Sequence, residues 1–150
     1  MEIDHLYSYA TYNLLKERMP FTFIIPGDPI PLARPRLGKG HVYDSQAELK
    51  LVVGWELRNQ QWEMETLGFD DGPLKISFEF GMRMPKMSVK KKLGIIDRPH
   101  IKRPDLSNLI KFYEDAALGI LYKDDSIIAE ISAKKIYVEE PYTKMEIELL

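Results

Sequence analysis

Arg103-Pro104-Asp105-Leu106-Ser107-Asn108-Leu109-Ile110-Lys111, followed by Asp115 and then by Asp124-Asp125-Ser126, is the stretch whose reading decides the fold. Pro104 carries the φ of a first helical turn, and Asp105 or Ser107 can accept from the exposed N–H groups there. A helix is therefore expected from this point to about Leu118, where Gly119 stops it. Leu106, Leu109, Ile110, Tyr113, Ala116 and Ala117 recur at helical spacing and form a stripe that needs a sheet to dock on. Ser107, Asn108, Lys111, Glu114 and Asp115 share the polar side, which then faces a cleft or solvent.

Outward from that helix the pattern supplies the sheet. Phe21-Thr22-Phe23-Ile24-Ile25 reads as a strand, and Leu74 to Phe80 alternates with period two, as an antiparallel-type strand with one covered face does. Ile127 to Val138 and Lys144 to Leu150 alternate similarly, joined by a turn at Glu139-Glu140-Pro141-Tyr142. A long helix is expected from Ser45 to Thr66, capped by Ser45 or Asp44, with Leu49, Val52/Val53, Glu56/Leu57 and Gln60 giving its period. Trp55 and Trp62 on it are more often core or dimer contacts than base-stacking groups at that spacing. Leu67 to Pro73 reads as the turn out. The expected architecture is α+β: one domain over 21–150, a mixed, mostly antiparallel sheet with helices on one face, preceded by an N-terminal helical extension over 1–20, an N-terminal brace.

The chemistry of the opening stretch is that of phosphodiester cleavage. Hydrolysis there requires charge neutralisation on the phosphate and an activated water, and Mg²⁺ held by a few carboxylates supplies both. Asp105 at the helix start and Asp125 at the head of the following strand offer a hard-oxygen pair. Lys111 lies one turn beyond Ser107 on the same side, where it can meet developing negative charge. Singly, each is an ordinary helix cap, i,i+4 pair or turn residue; their coincidence is what points to a site.

Charge distribution agrees with an anionic partner although the formal net charge is only −2. Arg83, Lys86, Lys90, Lys91, Lys92, Arg98, Lys102 and Arg103 face one acid, Asp97, and lead directly to Asp105. A second basic segment, Arg34, Arg36 and Lys39, follows Pro26-Gly27-Asp28-Pro29-Ile30-Pro31, whose prolines predict a stiff exposed loop. Both can follow a phosphate backbone. Zero cysteines exclude disulfides and thiolate sites, and three histidines are too few for an imidazole cage. No run suits a membrane span, and Met1-Glu2-Ile3-Asp4-His5 lacks the order of a signal peptide, so a cytoplasmic protein is expected.

Both motifs, in this order, resemble the RusA family of Holliday-junction endodeoxyribonucleases. The family pattern Lys/Arg-Pro-Asp-x-Asp-Asn-Leu-x-Lys, then Asp-Ala-Leu-x-Gly and Asp-Asp-x-x-Ile, is met by Arg103-Pro104-Asp105, Asn108-Leu109, Lys111, Asp115, Ala117-Leu118-Gly119 and Asp124-Asp125-Ser126-Ile127-Ile128. Its N-terminal signature is met by Pro26 to Arg36 and by Tyr43. The resemblance implies a Mg²⁺-dependent enzyme, with Mn²⁺ as the other candidate ion, acting in DNA recombination and repair. It implies a homodimer on four-way junctions, of phage or prophage type, with Asp105, Lys111 and Asp125 catalytic. Metal contacts would come from Asp105, Asp125 and, with lower weight, Asp124; Asn108 and Asp115 would support them. DNA contacts would come from Arg34, Arg36, Lys39, Lys90, Lys91, Lys92, Lys102 and Arg103.

One departure stands out. Where the family usually has a second metal-binding aspartate this chain has Ser107, a neutral and weaker ligand. Asp115, Asp124 and Glu130 are the available substitutes. The rival reading is a protein that binds branched DNA and cuts it poorly or not at all; nuclease action on other branched or flap DNA is a third.

Overall fold

Four strands alternate apolar and polar residues, and that alternation decides which face each presents. β1 (Phe21–Pro26), β4 (Leu74–Arg83), β5 (Ile128–Val138) and β6 (Tyr142–Leu149) form one sheet in the order β1-β6-β4-β5. β6 runs antiparallel to both neighbours, whereas β5 runs parallel to β4. The link after β5 therefore passes β4 to reach β6, an arrangement that the alternation of the two strands leaves open. The computed structural model describes residues 13–14, 16–66, 68–69 and 72–150.

Register sets whole rows of side chains together. Phe23, Met145 and Phe78 are neighbours on the inner face, as are Phe21, Ile147 and Ile76, and all are buried. The outer face carries paired charges instead: Lys75 with Glu130 and Glu148, and Glu79 with Lys134 and Lys144. Glu79 also accepts from the Tyr142 hydroxyl at 2.7 Å. Partial burial pushes its pKa up, but that hydroxyl and the two ammonium groups outweigh burial and hold it below the ordinary value of 4.5.

The sign of the consequence follows directly. Stability contributed by a depressed carboxyl is present above its unfolded pKa and is lost as pH falls through the folded one. Glu79→Gln should thus lower stability at neutral pH by about 1 kcal/mol, discounted for solvent screening. Thermal melts at pH 7 and near pH 3 check this; a deficit of the same size at both would remove the electrostatic explanation.

Two helices cover the inner face. α1 (Ala47–Glu63) buries Val53, Gly54, Leu57 and Gln61, and α3 (Leu106–Ala117) buries Leu109, Phe112, Tyr113, Ala116 and Ala117. Between them in sequence, α2 (Val89–Ile95) buries nothing. The end of α3 is as expected: Gly119, at φ 84°, takes the left-handed turn that L side chains resist. Phe112 joins the core although the helical stripe did not include it.

The expected period of α1 is displaced. Leu49 and Val52 lie outward, and Trp55 and Trp62, 54% and 60% exposed, are not core residues. The inward face is centred on Leu57 instead, and polar Gln60 serves the sheet edge. Its side-chain amide accepts from Ile24 N–H at 2.9 Å and donates to the Ile24 carbonyl at 2.7 Å, satisfying an open position of β1 as a neighbouring strand would. Neither Ser45 nor Asp44 is the cap residue by position; Gln46 is, and the Asp44 carboxylate accepts from its N–H.

The N-terminal extension lies mostly outside the described residues. Asn13, Leu14, Lys16 and Glu17 are helical, and Arg18 donates to the carbonyls of Met64 and Glu65 at the end of α1. In the expected turn at Leu67 to Pro73, Leu67, Asp70 and Asp71 fall outside the described residues; Phe69 is buried and bridges to Tyr122.

Candidate functional site

The proline-rich loop, expected to be stiff and exposed, is partly buried and tied down along its length. Pro29 is buried. Ile30 N–H donates to the Tyr113 hydroxyl at 3.0 Å, and Leu32 N–H donates to the Asn108 carbonyl at 2.9 Å. Gln46 completes the clamp, accepting from Ala33 N–H and donating to the Pro31 carbonyl. Prolines leave few donors in this segment, so these bonds carry nearly all of its fixed positions. The two sequence motifs thereby meet: Arg34 follows Leu32 by two residues, within about 7 Å of chain from the first turn of α3.

Beyond Arg34 the chain forms a feature not expected from sequence, a hairpin of β2 (Arg36–Gly38) and β3 (His41–Tyr43). Gly40 at φ 81° closes its turn. The strands are too short to show an alternating pattern. Arg36, Lys39 and His41 are exposed on it.

α3 presents its polar side as anticipated. Asp105 occupies the cap position with extended backbone, yet its side chain caps nothing, leaving the carboxylate unspent. Ser107, Lys111 and Asp115 are exposed along the same helix, with Asn108 half-buried. Asp125 opens a short 3-10 turn immediately before β5, and Asp124 is its cap, accepting from Ser126 N–H at 2.9 Å. That bond from Ser126 holds the Asp124 carboxyl below its ordinary range. Asp124 is therefore occupied with the turn.

Electrostatics names a further acid. Burial pushes the Glu114 carboxyl up, and the charges of Asp125 and then Asp115 push it the same way, against the pull of Lys111. Glu114, Asp125, Asp115 and Lys111 thus share one field. The sequence placed Glu114 on the polar side of the helix without a role; its position in register with Ser107 and Lys111 was the available signal. Asp115 is also paired with Lys50 at 3.4 Å. Glu130, named as a substitute for a missing aspartate, lies on the outer sheet face with Lys75, opposite the helices, and so is removed from this side.

The approach to Asp105 is held by β5. Residues 97 to 100 pair along its free edge: Asp97 N–H donates to the Tyr137 carbonyl, Tyr137 N–H to that of Arg98, and His100 N–H to that of Lys135. Lys135 stands beside Phe80 at an inner-face position, where an apolar residue is expected. Its ammonium donates to the carbonyls of Lys102 and Pro104, each at 2.7 Å. These bonds fix the backbone immediately before Asp105. Sequence reasoning missed Lys135; a lysine at apolar parity in an alternating strand was the signal.

Among the described residues, no three aspartate, glutamate, histidine or cysteine side chains gather closely enough to hold an ion. The donors present are still hard oxygens. Mg²⁺ keeps several waters and often takes only one or two carboxylates plus substrate phosphate, which such donors suit without a cage. Asp125 shares a field with Glu114 and Asp115, whereas Asp105 lies about 13 Å from Glu114 along the axis of α3. Among the described residues, no helix is long and apolar enough to cross a membrane.

A family model described as "Endodeoxyribonuclease RusA" matches residues 26–148. The Bacillus subtilis (strain 168) protein named "Uncharacterized protein YqaN" is 32% identical over 136 residues, covering 83% of this chain and 93% of that protein. The chain belongs to the RusA endodeoxyribonuclease family.

Proposed function

We propose that this member of the RusA endodeoxyribonuclease family is a Mg²⁺-dependent endonuclease that binds four-way DNA junctions and resolves them by paired cuts. The observation that carries the reading is the Leu32–Asn108 bond, which ties the segment leading to cationic Arg34 and Arg36 to the first turn of α3. Phosphate backbone drawn in by these arginines and by Lys102 and Arg103 meets Asp105 and Lys111 at once. Asp105 and Asp125 would hold the divalent ion, Mn²⁺ being the alternative. When bound, that ion neutralises phosphate charge and lowers the pKa of a water. Lys111 donates to a phosphate oxygen as its charge builds. A two-fold homodimer would place two such sites for the two symmetric cuts, and a cytoplasmic location gives access to DNA.

A synthetic four-way junction incubated with and without Mg²⁺ tests the reading. Symmetric nicks that need the ion are expected, with linear duplex spared. Tight junction binding with no cutting in Mg²⁺ or Mn²⁺ would favour the non-catalytic reading, for which Ser107 and the absence of a three-acid cluster among the described residues are the grounds. Ser107→Asp separates the cases further. On the catalytic reading it should raise ion affinity and increase cutting at limiting Mg²⁺, since an acid in the first turn also suits the helix dipole. No change in either would mean that Glu114 or another acid already fills the place.

The basic segment yields its own expectation. Replacing Lys90, Lys91 and Lys92 together by Ala should weaken binding to junctions of every sequence. The slope of log affinity against log salt should flatten by roughly one unit per lost phosphate contact. An unchanged slope would make these lysines a solvated surface only.

A further inference from the structure

α2 is held at its start by Ser88, whose hydroxyl accepts from Lys91 N–H, yet none of its residues is buried. Val89, Leu93 and Ile96 recur at i, i+4 and i+7, one side of the helix, and Val89 and Leu93 are 74% and 65% exposed. Ile101, on the stretch leading to Asp105, is 89% exposed. A Cβ added at Gly94 would meet nothing within 4 Å, so the helix stands clear of the domain there as well. Scattered exposed apolar residues need no explanation, but an ordered apolar stripe on an otherwise cationic projection does.

The charges around the stripe identify what covers it. Lys86, Lys90, Lys91, Arg98, Lys102 and Arg103 are all exposed, and Asp97 is the one acid between Lys86 and Pro104. A ligand that is anionic outside and apolar within suits such a surface. Duplex DNA keeps its base faces stacked, whereas a branch point leaves base pairs without a neighbour. Leucine and isoleucine side chains serve as wedges against unstacked steps in proteins that bend DNA.

We propose that Val89 and Leu93 on α2, and Ile101 on the stretch leading to Asp105, supply apolar wedge side chains that pack on the unstacked base pairs at the centre of branched DNA, while the surrounding lysines and arginines hold the phosphates. The inference rests on the reading of this protein as a branched-DNA nuclease. It adds a ruler to it. The pairing of residues 97–100 with β5 and the two bonds from Lys135 connect the wedge to Asp105 through fixed backbone. A wedge seated at the branch point would therefore set where the phosphodiester is cut.

The test uses the full chain and a four-way junction carrying a fluorescent adenine analogue beside the branch point, in EDTA so that binding is read without cutting. Wild-type protein should bind this junction more tightly than linear duplex and raise the analogue's fluorescence as it unstacks. Leu93→Gln with Ile101→Gln should lose the fluorescence rise and weaken junction binding about tenfold, with duplex affinity and melting temperature unchanged. Both positions are exposed, so the fold should tolerate the change; Ile101→Gln alone serves as the milder variant. A variant that keeps junction preference and the fluorescence rise overturns the wedge and leaves the nuclease reading intact. The same result accompanied by a dimer falling to monomer in sedimentation overturns it too, and assigns the stripe to contact between copies. Wild-type protein with no preference for the junction defeats the branched-DNA reading, and the wedge with it.

Discussion

Asp105→Asn is expected to lower junction cleavage by at least about 10²-fold while leaving junction affinity intact or slightly raised. Asparagine keeps the size and extended cap geometry of the residue but removes the charge that would bind the ion. Because the Asp105 side chain makes no capping bond, the helix loses no hydrogen bond by the change. The free cap position is what separates this acid from Asp124, whose carboxylate accepts from Ser126 N–H; Asp124→Asn should act through the turn instead. Cleavage rates with saturating junction, alongside binding measured without divalent ion, decide the matter. An undiminished rate would sink the assignment, and a parallel loss of binding would make Asp105 a general contributor to the DNA surface.

Lys135→Met should cost about 10- to 100-fold in divalent-ion affinity or cleavage, the range found when groups that orient metal ligands are removed. The methionine keeps an apolar stem beside Phe80 but withdraws the ammonium from the Lys102 and Pro104 carbonyls. The turn before Asp105 then loses its only side-chain anchor among those shown by the described residues. Lys135→Arg, which retains donors of similar reach, should recover part of the loss. Mn²⁺ titration is the separating measurement, because a purely structural lysine would change melting temperature and leave ion affinity alone. A fall in melting temperature with unaltered Mn²⁺ binding would assign Lys135 to the fold.

What the sequence determined by itself was local. The helix after Pro104, its end at Gly119, the alternating strands and the polar side bearing Ser107, Lys111 and Asp115 follow from spacing and turn chemistry, because neighbours along the chain decide those. Family membership was legible for the same reason, since its motifs are short contiguous runs. The hairpin at Arg36–Tyr43 and helix α2 escaped because each is too short to show a period, and the inward face of α1 was misplaced because its apolar residues surround it.

Only the tertiary structure decided which motif residues meet. Nothing near Leu32 in sequence indicates that its N–H will find the Asn108 carbonyl, or that Gln60 will stand in for a strand beside Ile24. Glu130 and Glu114 read alike as acids near the motif, yet strand parity sends the first to the outer face and helix packing sets the second in the field of Asp125. Lys135 shows the same limit. Backbone carbonyls left unpaired by a turn must find donors, and which donor reaches them depends on how β5 lies against α3 and its leading loop, a matter of packing between segments that no single segment encodes.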